Sequence, residues 1–199
     1  MISTEIPYIN SYKGIFYHIR TVKKENPLGR YVSIKSTETA SGGIENIVNY
    51  PEMYAWQSLD DDEPYIEFTF NMGCMIITNY TFVVYETAAH SSMWDIYGTS
   101  NYQTEIVVKD QDGGEFCQPV YENDSCGNKY LVTFSFPEVN KCFKTIKIVG
   151  KAFKPANFKR LAFGGVDFFG KLIIYQCERE SKRISTMFKY VILIINNCK

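Results

Sequence analysis

Met93–Ser100, MWDIYGTS, decides how the chain is read. Trp94 and Ile96 alternate with Asp95 and Tyr97, a period of two that marks a half-buried strand. Gly98-Thr99 breaks the run and turns the chain. Outward from it the same signal recurs on both sides. Downstream, Glu105–Lys109 (EIVVK) leads into the turn-forming DQDGG of 110–114. Upstream, Tyr65–Phe70 (YIEFTF) sets Tyr, Glu and Thr against Ile, Phe and Phe. Cys74–Ile77 and Tyr80–Tyr85 (YTFVVY) follow, rich in the β-branched and aromatic residues that pack on a pleated face. Tyr31–Lys35, Tyr130–Phe136, Phe143–Val149 and Leu161–Leu172 complete the set. Many short strands with turn signals between them predict an all-β, antiparallel β-sandwich. Gly14–Arg20 (GIFYHIR) reads as a first short strand or turn, Ser36–Gly43 and Glu86–Ser92 as loops, and Ile44–Leu59 as a long structured loop ending near Trp56.

The chain has 199 residues, enough to bury a core without staples. Its net charge is −1, but the charge is unevenly placed. Ser36–Val108 holds eleven acids, among them Asp60-Asp61-Asp62-Glu63, and no Lys or Arg. Such a stretch repels phosphate-rich partners, which argues against nucleic acid and anionic lipid and for a cationic or neutral one. The bases of 141–160 are the counterweight if the fold brings them to the same end.

MISTEIPYIN has neither a basic nor an apolar leader region, and no apolar run approaches the ~18 residues of a membrane span. The six cysteines (74, 117, 126, 142, 177 and 198) show no C-x-x-C spacing, so reduced, buried thiols and a cytoplasmic location are expected. No metal and no cofactor is expected. The two histidines, His18 and His90, do not by sequence position make a nucleophile–base pair, so no catalytic residue is assigned and the chain is read as no enzyme. Gly42-Gly43 and Gly113-Gly114 sit in no nucleotide-binding pattern.

In order along the chain, several elements resemble the discoidin domain (coagulation factor V/VIII type C) of the galactose-binding-like superfamily. They are Val32-Ser33-Ile34-Lys35-Ser36, Trp56-Gln57-Ser58, Tyr65–Phe70, Ile77–Phe82 (ITNYTF), Met93–Ser100 and the closing Val166-Asp167-Phe168-Phe169-Gly170. The resemblance implies an eight-stranded jelly roll. It sets the organisation as a lead-in over 1–11, the sandwich over 12–172 and a C-terminal extension over 173–199 that carries the apolar Tyr190–Ile195. It implies a binding module that engages a protein or a glycan through loops at one end. The alternatives are a phospholipid-binding module or a carbohydrate-binding accessory domain of a larger protein. Oligomeric state stays open.

Within the loops such domains use for binding, Thr39, Glu45, Tyr54 and His90 are the candidate ligand-binding residues. Trp56 and Trp94 are expected in the core rather than on a ligand. Secreted members close their ends with a disulfide, which the absence of a cysteine before Cys74 rules out here. Calcium-binding members use acids in the closing strand. Here Gly165 stands in place of the first, leaving Asp167, so no calcium site is expected.

Overall fold

In the computed structural model the alternation at Tyr65–Phe70 is realised strictly: Ile66, Phe68 and Phe70 are buried, and Tyr65, Glu67 and Thr69 face outward. The structure describes residues 2–6, 13–48, 56–85, 90–113, 129–138, 140–154 and 159–175. The elements, in order, are β1 (Ile2–Ile6), α1 (Ile15–Thr21), β2 (Val32–Ser36), β3 (Thr39–Ser41), a 3₁₀ turn (Ile44–Ile47), β4 (Trp56–Ser58), β5 (Tyr65–Phe70) and β6 (Gly73–Tyr85). Then come β7 (His90–Ser100), β8 (Gln103–Asp112), β9 (Lys129–Ser135), β10 (Thr145–Lys154), β11 (Ala162–Phe163) and β12 (Gly165–Ile174).

Two antiparallel sheets make the sandwich. One has the order β2-β5-β10-β7-β8, the other β1-β12-β6-β9, and a small third sheet, β11-β4-β3, lies alongside. Their inner faces meet through aromatics. Trp94 packs against Phe82 at 5.1 Å and Phe134 at 5.0 Å, while Phe68 meets Phe168 at 5.2 Å. Trp56 and Trp94 are both fully buried, as expected. The Trp94 indole N–H donates to the Tyr80 hydroxyl at 3.2 Å, which satisfies the one polar atom the ring takes inside. Gly98 does not break the strand as expected, since β7 runs on to Ser100; it is glycine because a ring needs its space, and a Cβ there would lie 2.5 Å from Phe143.

Several local expectations change. Gly14–Arg20 is helical, not extended. Ile15, Phe16 and Ile19 form a single buried face, but seven residues are too few turns to show a helical period. The lead-in is not loose throughout, because Ile2–Ile6 pairs with Ile174–Gly170 of β12. The loop expected over Ser36–Gly43 contains β3. His90, expected in a loop, is the first residue of β7 and pairs with Lys154. Cys74 and Cys142, expected as reduced thiols, are joined by a disulfide with Cα atoms 5.3 Å apart. Residues 176–199, including the apolar Tyr190–Ile195, lie outside the described residues.

The registers define two ends. At one, β2, β10, β6 and β8 finish and β5, β7, β9 and β12 begin. β2 runs out into β3, and β5 is entered from β4, at this end, the loop end. At the other, β5 turns into β6 and β7 into β8, and the disulfide ties the start of β6 to the approach to β10.

Candidate functional site

The loop end gathers part of the predicted ligand set. Thr39 lies on exposed β3, and its Oγ1 accepts the indole N–H of Trp56 at 3.0 Å. A hydroxyl used as an acceptor on one side keeps its proton to donate on the other. Glu45 is exposed on the 3₁₀ turn, whose Ile47 is buried and fixes the turn to the core. Neither Glu38 nor Glu45 has a cationic partner among the described residues, and the Glu45 carboxyl folds back over Gly43, where a Cβ would collide with its Oε1. His90 is placed at the start of β7 by its backbone, at the same end. Tyr54 lies outside the described residues.

The acidic run is not a bare acidic face. Asp60 takes a two-pronged bond from Arg160, Nε to Oδ1 at 2.8 Å and the terminal nitrogen to Oδ2 at 3.0 Å. Lys159 donates to Asp62 at 2.6 Å, and Lys151 reaches Glu63 at 3.3 Å and Asp95 at 3.6 Å. The hydrogen bonds from Arg160 and Lys159 hold the Asp60 and Asp62 carboxyls below their ordinary range. The bases of the β10–β11 connection therefore neutralise acids of the β4–β5 connection. The repulsion of anionic surfaces expected from the sequence is correspondingly weakened. Asp95 is buried and also accepts the Asp110 backbone N–H at 2.7 Å, which locks β7 to β8 beside this ionic cluster.

Asp167 lies in the closing strand as expected, but the sequence does not disclose its role there. Its Oδ1 accepts the N–H of Phe16 at 2.9 Å and of Phe168 at 2.9 Å, and its Oδ2 that of Tyr17 at 3.1 Å. A closing-strand carboxylate thus caps the start of α1, where Gly14 has no side chain to do so. Gly14 must be glycine, since a Cβ would lie 2.5 Å from the Asp167 carboxyl. Burial pushes this carboxyl up to about 7, against the backbone N–H bonds that hold it down. The residues do not fit a calcium ion. Gly165 supplies no carboxylate, the Asp167 oxygens are taken by backbone donors, and no three His, Cys, Asp or Glu side chains cluster among the described residues.

No protein-family model matches the sequence, and no curated protein sequence matches it significantly. Solved structures do match the fold, an all-β sandwich that family 32 carbohydrate-binding modules also have. One is the family 32 module of NanJ from Clostridium perfringens in complex with galactose: TM-score 0.50, 8% identity, covering 69% of this chain and 93% of that one. Another is truncated AlyQ, with its family 32 module and alginate lyase domains: TM-score 0.50, 14% identity, covering 73% of this chain and 33% of that one. Among the described residues no helix is long and apolar enough to cross a membrane.

Proposed function

We propose that this chain is a non-catalytic, saccharide-binding module that takes its ligand at the loop end of the sandwich. The observation that supports it most is the joint placement of Thr39 and Glu45, exposed and at the loop end, on a fold shared with a module solved with galactose. The chemistry suits a sugar. The Glu45 carboxylate can accept two vicinal hydroxyls, the Thr39 hydroxyl can donate, and His90 stands at the start of the neighbouring strand. No step in this reading requires a bond to be made or broken. A protein ligand would be expected to anchor on a fully desolvated apolar centre, and Thr39 and Glu45 offer polar groups instead.

The disulfide bears on where the module works. Disulfides persist in oxidising compartments and are rare in the cytosol. The Cys74–Cys142 bond therefore favours an extracytoplasmic module over the cytoplasmic location read from the cysteine spacing.

Isothermal titration of the whole chain against a panel of neutral and acidic mono- and oligosaccharides, galactose included, tests the reading. Saturable binding to at least one sugar, weakened about tenfold or more in Glu45→Gln, is expected for the loss of a charged hydrogen-bond acceptor. A panel with no binder, or a Glu45→Gln protein that binds as the parent does, would remove the proposal.

A further inference from the structure

The end opposite the loops carries a feature that the fold does not explain. The β7–β8 hairpin turns through Asn101 and Tyr102, both left-handed, with φ +49° and +64°. Asn is at ease there, but a bulky aromatic is not, because its Cβ crowds the backbone carbonyl in that region. Tyr102 is also fully exposed, at 103% of its reference area. Strain and exposure together are what a stability-driven sequence avoids, and glycine would remove both. The tip is nonetheless firmly held. Glu105 is gripped by Lys141 through both carboxylate oxygens at 2.6 Å, and Lys141 adjoins Cys142 of the disulfide.

Beside the tip, the outer face of the five-stranded sheet carries a hydroxyl on every strand in one register row: Ser33, Thr69, Thr145, Thr99 and Thr104. Thr99 and Thr104 share a hydrogen bond at 2.8 Å, and Thr69 and Thr145 stand 3.5 Å apart. Neighbouring strands lie about 4.8 Å apart, so the row spans close to 20 Å.

We propose that this hairpin tip is a second saccharide site, in which Tyr102 stacks on the apolar face of a sugar ring and the hydroxyl row receives the following residues of a glycan chain. The proposal rests on the saccharide-binding reading above but uses the other end of the molecule. It commits to a glycan because an exposed aromatic ring followed by a row of hydroxyls matches a surface that is itself apolar on ring faces and hydroxylated at ring edges. A protein partner would need an apolar centre that the row lacks.

The test is affinity electrophoresis of the whole chain through gels containing soluble neutral or acidic polysaccharides. It compares the parent, Tyr102→Gly, Tyr102→Phe and Glu45→Gln. Tyr102→Gly should lose retardation on at least one polysaccharide, about tenfold in apparent affinity for a lost ring contact, while its melting midpoint rises. Tyr102→Phe should keep most of the retardation. Opposite movements of stability and binding are not what a structural tyrosine would give. Equal retardation of parent and Tyr102→Gly, with Glu45→Gln impaired, would overturn the tip site and leave the loop-end reading standing. Loss in Tyr102→Gly with Glu45→Gln unimpaired would do the reverse. A parent that no polysaccharide retards overturns the tip site, and so does a Tyr102→Gly protein whose only change is in its size-exclusion mass.

Discussion

At the end away from the loops, the sandwich is closed mainly by a covalent bond and by hydrogen bonds to the backbone, with the exposed Glu105–Lys141 pair beside them. Cys74 and Cys142 are covalently joined. Phe143 and Met75 exchange backbone hydrogen bonds at 2.9 Å in both directions. The Lys144 ammonium donates to the carbonyls of Phe70 and Asn71 where β5 turns into β6, and burial draws its pKa down. At the loop end the connections are held from outside by ion pairs of exposed side chains, Asp60–Arg160 and Asp62–Lys159. From within, that end is anchored by the buried carboxyls of Asp167, under α1, and Asp95, between β7 and β8. The difference separates two tasks. One end fixes the frame, and the other lets its loops change sequence and charge without loss of the fold, as recognition loops on a rigid scaffold do.

Breaking the covalent tie should have the largest effect. Replacing both Cys74 and Cys142 by Ser opens a link across 68 residues and should lower stability by roughly 3–4 kcal/mol in denaturant titration. An unchanged midpoint would mean that the two ends are held alike.

Next comes Asp167→Ala, which strips three backbone N–H groups of their acceptor, two of them buried. A loss of about 2–3 kcal/mol is expected from orphaned interior donors. The same residue gives the pH profile a sign. Its carboxyl is raised from 3.8 to about 7 in the folded protein, so folding binds a proton more tightly than the unfolded chain does. That contribution is fully present below pH 3.8 and is lost as the pH rises through about 7. Between pH 6 and 8 the melting midpoint should fall, and Asp167→Asn should flatten the slope. A parent slope of opposite sign would show that the N–H bonds outweigh burial.

The smallest effect belongs to the ionic cluster. Lys159→Ala should leave the melting midpoint unmoved at physiological salt, since exposed pairs contribute little once screened. A chelator should leave it unmoved as well. A fall as large as that of the cysteine variant would erase the contrast between the ends.

Much of the frame was legible from the sequence because a strand's period is two. Tyr65–Phe70 declared its buried face directly, and Trp94 and Trp56 went into the core where apolar neighbours put them. What escaped was set by contacts distant in sequence. α1 is too short to show a period and takes its cap from Asp167, some 150 residues away. The Cys74–Cys142 pairing could not be read from spacing, since nothing local distinguishes those two thiols among six. The acidic run looked unpaired because its partners arrive from far along the chain, Lys151 from β10 and Lys159 and Arg160 from the β10–β11 connection. Of the candidate ligand residues, Thr39 and Glu45 fall at the loop end with their side chains exposed, and His90 is drawn from loop into strand.

Two-dimensional amide NMR of the whole chain, titrated with the saccharide panel, tests the central claim most directly. Saccharide bound at the loop end should move the amides of Thr39–Ser41, Glu45 and His90–Ser92 in a saturable way, leaving those of Met75 and Phe143 at rest. Shifts that avoid the loop end, or a spectrum that no saccharide changes, would contradict it.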